Sequence, residues 1–224
     1  QTGHGYLALP ASGKGPGVIV IQEWWGLVDH IKDVCDRLAD LGFVALAPDL
    51  YGGWIAHDGD EAGEMMQNLP AEEGARQLAG AVDWLLAREE VTSTTVGAIG
   101  FCMGGGFALV VATDGFDAAS VNYGMIPDDV DELLRGTCPL VGSYGGKDRM
   151  SRGVPRLAAA LESQGVDYDL KIYRTAGHSF LNDGPAGPRL ARGLAKIVGA
   201  GPDPEAAAHA WHRIEAFFGR HLNS

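Results

Sequence analysis

The sequence predicts an α/β fold, a mostly parallel central sheet with helices on both faces. Three observations carry this. Short apolar runs alternate with helical stretches along the chain, the pattern of a sheet built from crossover units. Some runs, such as Val18-Ile19-Val20-Ile21, are apolar at every position, as strands covered on both faces are. Gly accounts for 33 of the 224 residues, which suits many tight strand–helix turns.

Taken in order, Tyr6 to Leu9 reads as a short edge strand, closed by Pro10 and the turn-rich Ser12-Gly13-Lys14-Gly15-Pro16-Gly17. Val18 to Ile21 is the first buried strand, followed by the loop Gln22-Glu23-Trp24-Trp25-Gly26. His30 to Leu41 has Ile31, Val34, Leu38 and Leu41 at helical spacing, with Gly42 as a stop. Phe43 to Ala47 is the next strand, ended by Pro48-Asp49. Helices are expected over Asp58 to Asn68 and Ala71 to Ala87, separated by Pro70. Thr95 to Ile99 is a strand and Phe107 to Ala112 continues as a helix. Strands follow at Ala118 to Asn122, Pro139 to Tyr144 and Tyr168 to Tyr173, with a helix at Pro155 to Ser163 before the last. Gly184 to Gly187 reads as a loop near the site, and Pro204 to Phe218 as a closing amphipathic helix. No repeat, low-complexity tract or linker divides the chain, so one domain over residues 1–224 is expected.

The net charge of −12 argues against nucleic acid or an anionic membrane as partner. No signal peptide and no apolar run near 18 residues is found. The three cysteines, Cys35, Cys102 and Cys138, do not form a disulfide framework. They point to a reducing, cytoplasmic setting. Cys35 and Cys138 read as core residues. The remaining histidines lack metal spacing apart from a weak set near the C-terminus, read as helix surface, so neither metal nor cofactor is expected.

The candidate chemistry centres on Gly100-Phe101-Cys102-Met103-Gly104-Gly105. A strand, a small residue, a nucleophile between two arbitrary residues, another small residue and a helix make up a nucleophile elbow. The central residue sits on a strained turn, and the glycines two positions to either side, Gly100 and Gly104, suit places where a Cβ would meet the crowding strand or helix. The helix that starts there points free N–H groups and its positive dipole end at the sulfur, which favours the thiolate. Asp148 follows the Pro139–Tyr144 strand, and His178 follows the Tyr168–Tyr173 strand. Nucleophile, acid, histidine is the chain order of α/β-hydrolases, and ligands bind at the carboxyl ends of strands in such sheets. An imidazole can take the thiol proton and later hand one to a leaving group, and a carboxylate fixes its tautomer. The oxyanion donors expected are the backbone N–H groups of Met103 and Trp24. Tyr123, after a strand end, is a candidate to face substrate. Trp24, Trp25 and Trp54 default to packing.

Across nearly its whole length the chain resembles the dienelactone hydrolase family of α/β-hydrolases. The marks are Gln22-Glu23-Trp24-Trp25-Gly26, Ala47-Pro48-Asp49-Leu50-Tyr51-Gly52, the elbow, Tyr144-Gly145-Gly146-Lys147-Asp148 and Gly177-His178-Ser179-Phe180. The resemblance implies a Cys102–Asp148–His178 triad. It also implies that Glu23 lies beside the thiol, holds it neutral at rest and accepts its proton when substrate binds. Family members grip a substrate carboxylate with Ser and Arg residues. Ser179 is kept here as a candidate substrate contact, but Leu181-Asn182-Asp183 stands where one Arg is expected. The segment from His57 to Asn68, where a second is expected, has no Arg and is acidic. The expected reaction is hydrolysis of a small, neutral ester or lactone through an acyl-cysteine, by a monomer or small homo-oligomer. A thioesterase or amidase with the same triad, and a ligand-binding protein without turnover, are the alternatives.

Overall fold

A computed structural model describes residues 3–184 and 201–222. The described chain forms one seven-stranded sheet in the order β1-β3-β2-β4-β5-β6-β7. The strands are β1 (Gly5–Ala8), β2 (Gly15–Ile21), β3 (Val44–Pro48), β4 (Val91–Phe101), β5 (Ala118–Asn122), β6 (Leu140–Gly145) and β7 (Tyr168–Tyr173). Only β1 runs antiparallel, against β3; the other pairs are parallel. The helices are α1 (Asp29–Asp40), α2 (Gly59–Gln67), α3 (Ala71–Leu86), α4 (Met103–Val111), α5 (Val130–Leu133), α6 (Val154–Ser163) and α7 (Pro204–His221).

Apolar residues on both sides of the strands explain the two cores. Ile19 and Ile21 of β2 meet Leu78 and Leu85 of α3, Phe107 of α4 and Leu157 of α6 in one cluster. Val18 and Val20 of the same strand meet Ile31 and Leu38 of α1 and Trp211, Phe217 and Phe218 of α7 on the opposite face. Alternate side chains of a strand point to opposite faces, so a run apolar at every position serves both layers.

β4 is longer than its apolar run suggests. Val91 to Thr95 alternates between half-buried and exposed, and full burial begins at Val96. Cys35 and Cys138 are buried, as their positions suggest. The predicted loop at Gly184 to Gly187 lies, beyond Gly184, outside the described residues. Among the described residues no helix is long and apolar enough to cross a membrane.

The strand order decides where the site sits. After β2 the chain steps outward to β3, then returns to place β4 on the other side of β2. That reversal opens a crevice at the carboxyl ends of β2 and β4. Ile21 pairs with Gly100, so the Glu23–Trp24 loop and the Cys102 turn emerge side by side.

Candidate active site

Cys102 sits at φ 53°, ψ −114°, immediately before α4. This left-handed backbone is costly for a residue with a side chain, about 1–3 kcal/mol. Its amide donates to the Asn122 carbonyl at 3.1 Å, which ties the turn to β5. The glycines around it are required by contact. A Cβ on Gly100 would lie 1.8 Å from the Gly104 carbonyl oxygen, and one on Gly104 would lie 2.3 Å from the Ile21 oxygen. The α4 terminus therefore presses directly on β2 and β4. The Met103 N–H, at the first helical position, belongs to the amides with no acceptor inside their own helix. Trp24 lies in the turn just beyond β2, and among the described residues nothing accepts its N–H.

Asp148 and His178 meet across two loops. His178 Nδ1 and Asp148 Oδ2 are 2.7 Å apart, and the Asp148 side chain is only 8% exposed. Its other oxygen, Oδ1, accepts the Met150 N–H at 3.0 Å at the start of a 3-10 turn, so both oxygens are held. The Gly146 N–H donates to the Tyr173 carbonyl and the Lys147 N–H to the Ala176 carbonyl. A Cβ on Gly145 would come within 2.4 Å of the Gly177 oxygen, so the Gly-Gly pair lets the His178 loop approach. The Gly201 N–H donates to the His178 carbonyl at 2.9 Å, fixing the loop from the far side.

With Nδ1 engaged by Asp148, Nε2 is the nitrogen left to serve Cys102. Burial alone would push His178 down. The hydrogen bonds to Asp148 and Cys102, together with their negative charges, outweigh it and hold the imidazole up at about 10.

Glu23 is buried behind this group at 2% exposure. Its Oε2 accepts from Asn182 Nδ2 at 3.4 Å, and its Oε1 has no partner among the described residues. Asn182 Oδ1 accepts the Tyr123 hydroxyl at 2.9 Å. Burial pushes that hydroxyl well above its ordinary range, and the charges of Glu23, Cys102 and Asp148 push it further. Cys102, Tyr123 and Ser179 are the non-glycine residues with positive φ among those described. All three lie at this site, where stored backbone strain concentrates.

The sequence matches the model of the dienelactone hydrolase family over residues 4–222. The chain belongs to the dienelactone hydrolase family. Its fold is accordingly the α/β-hydrolase fold predicted from the sequence. Protein usf of Aquifex pyrophilus is 34% identical over 97% of this chain and 93% of its own. A Saccharolobus solfataricus protein named "Putative carboxymethylenebutenolidase" is 33% identical over 96% of this chain and 93% of its own. The crystal structure of a "Putative Dienelactone Hydrolase" from Klebsiella pneumoniae superposes with a TM-score of 0.83 at 26% identity, covering 99% of this chain and 94% of that one.

Within this family member the sequence-predicted residues Cys102, Asp148, His178 and Glu23 come together. Trp24 and Met103 flank them. Tyr123 and Ser179, the expected substrate contacts, are both buried. Tyr123 is fully buried and Ser179 is 3% exposed. The Tyr123 ring stands edge-on to His178 at 5.0 Å between centroids and packs on Phe101 and Phe180. A position after a strand end does not say which way the turn sends its side chain.

Two further residues carry no mark of their role in the sequence pattern. Asn182 stands where the family resemblance expects an Arg. Tyr51, inside a family motif, donates its hydroxyl to Met103 Sδ at 3.2 Å. Burial raises Tyr51 to about 12, with the Cys102 charge contributing. Tyr51 also lines a cavity of about 440 Å³ with Leu50, Trp54, Met65, Leu69 and the carboxylates Glu61, Glu64 and Glu73. No Arg or Lys lines it. Of the tryptophans, Trp25 packs with Ala56 and Ala62, while Trp54 stands 70% exposed at the cavity.

Proposed function

We propose that this protein hydrolyses small neutral esters or lactones through an acyl-cysteine intermediate, with residues 1–224 acting as one domain. The observation that carries the reading is the 2.7 Å Asp148–His178 contact, together with the strained elbow turn that holds Cys102 at φ 53° before α4.

As its proton passes to His178 Nε2, the Cys102 sulfur attacks the carbonyl carbon, and the carbonyl π electrons move to oxygen. The N–H groups of Met103 and Trp24 receive that oxyanion. As the tetrahedral centre collapses, the C–O bond to the leaving group breaks and His178 Nε2 gives its proton to the departing alkoxide. Water then attacks the thioester while His178 takes one of its protons. The second collapse releases the carboxylic acid and restores Cys102. Asp148 holds the ring in the tautomer that presents Nε2 to the sulfur and stabilises its charged form. Glu23 adds a buried negative charge beside the thiol. It opposes the thiolate at rest and is a second acceptor for the thiol proton.

The lack of an Arg at residues 181–183 and from His57 to Asn68 supports a neutral substrate. The cavity beside Tyr51 carries Glu61, Glu64 and Glu73, of which Glu61 pairs with His57 and Glu73 with Arg76. A reducing cytoplasm suits a free nucleophilic thiol.

Turnover of p-nitrophenyl acetate by wild type and Cys102→Ala tests the reading. Loss of turnover, with an acyl adduct on Cys102 in the wild type by mass spectrometry, is expected. Undiminished hydrolysis by purified Cys102→Ala would overturn it. Cys102→Ser should fold normally and turn over poorly, since the surroundings are tuned to a thiol. A lactone and ester panel with and without a carboxylate should favour the neutral members, with thioesters and amides as the competing leaving-group classes.

A further inference from the structure

Tyr123, Asn182 and Glu23 form a buried hydrogen-bonded line whose direction can be read from its chemistry. The three side chains are 0%, 4% and 2% exposed, so each polar atom must be matched inside the protein. The raised Tyr123 hydroxyl keeps its proton and donates to Asn182 Oδ1 at 2.9 Å. Once Oδ1 is committed, the amide can offer only N–H groups to Glu23, and it does so at 3.4 Å. A carboxylate accepts such a bond and a carboxylic acid must donate one. The order of donors and acceptors is thus the one that suits ionised Glu23.

An amide has a property that a cation lacks. Turned by 180°, it presents Oδ1 to a protonated Glu23, and Nδ2 to the Tyr123 oxygen, which can accept as well as donate. Both protonation states of Glu23 then find a partner, although Oε1 is otherwise orphaned. The 3.4 Å bond is the longer of the two, and it is the one that must be exchanged.

We propose that Asn182, locked by Tyr123, is the positioning residue for Glu23, and that its amide reverses when Glu23 gains or loses a proton. Asn182 acts through Glu23 and does not touch the reacting atoms. The inference rests on the acyl-cysteine reading, in which Glu23 accepts the thiol proton. The titratable groups around the relay are Cys102 on the elbow, Tyr123 beyond β5, Asp148 beyond β6 and His178 beyond β7.

The test is the pH profile of kcat/KM on p-nitrophenyl acetate for wild type, Asn182→Leu, Glu23→Gln and their combination. Asn182→Leu strips the donor from buried Glu23 and disfavours its charged form. One limb of the profile should move alkaline by about one pH unit. In the Glu23→Gln background that limb should be gone, and adding Asn182→Leu should change kcat/KM by less than about twofold. A profile that keeps its wild-type shape and merely scales down, or an equal loss in both backgrounds, would mean a packing role and overturn the proposal. Should Asn182→Leu fail to fold, Tyr123→Phe removes a single oxygen and should move the same limb in the same direction. An unmoved limb in folded Tyr123→Phe counts against the relay. Cys102→Ala separates the two layers. Full turnover there ends both the reading and the inference, whereas an inactive Cys102→Ala with an unmoved Asn182→Leu profile ends the inference alone.

Discussion

Replacing Asp148 by Asn tests the link between one contact and the whole reaction. The change is nearly isosteric, and the Met150 N–H still finds an oxygen to bond. What goes is the carboxylate on His178 Nδ1, a 2.7 Å bond between side chains 8% and 25% exposed. A charge-assisted bond in such a place contributes about 2–3 kcal/mol. At about 1.4 kcal/mol per pH unit, its loss should bring His178 from about 10 to about 8, Cys102 remaining as its other support. An amide can also donate to Nδ1, which favours the tautomer with its proton on the wrong nitrogen, and this effect costs roughly 10⁴ in kcat in comparable triads. We expect kcat on p-nitrophenyl acetate to fall about 10³–10⁴-fold with KM changed far less. An NMR titration of the His178 ring should show the accompanying fall. The sign for stability follows from linkage. A group raised on folding stabilises fully below its unfolded value near 6.5, and loses that contribution as pH rises towards 10. Between those limits wild-type stability should fall more steeply with pH than that of Asp148→Asn. Activity within about tenfold of wild type, with the His178 titration unmoved, would refute the reasoning.

Two further outcomes are expected. Burial pushes the Cys35 thiol far up and the Cys138 thiol to about 12, so neither supplies thiolate at pH 8. Iodoacetamide should therefore label Cys102 alone in the native protein and all three cysteines in denaturant, as peptide mapping will show. Gly100→Ala would force a Cβ to 1.8 Å from the Gly104 oxygen, whereas Gly106→Ala meets nothing nearer than 3.9 Å. The first should lose about 3 kcal/mol or more and lower Tm by roughly 6–12 °C, and the second should cost little; equal melting temperatures would refute the packing argument.

The elements were largely legible because each carries a local signal. Val18 to Ile21 is apolar throughout, so it had to lie between two layers. His30 to Leu41 has one apolar side, and Pro48 and Pro70 stop what precedes them. The start of β4 is not legible because Val91 to Thr95 is threonine-rich and only half-covered, leaving little apolar pattern to follow. Asn182 escaped notice for a different reason. Its meaning lies in Tyr123, 59 residues away, and Glu23, 159 residues away, and no local pattern records such a meeting.

The sequence by itself determined the family, the strand–helix alternation and the set of groups that could do chemistry. Glycines that crowding requires and a sulfur at a strand end are written locally. Tertiary structure alone decided which of those groups share a face. Strand order brings the β2 and β4 ends together, and packing turned Tyr123 and Ser179 inward while leaving Tyr51 beside the cavity. Burial and left-handed backbone at such positions are set by neighbours distant along the chain, so they exist only once the sheet is assembled.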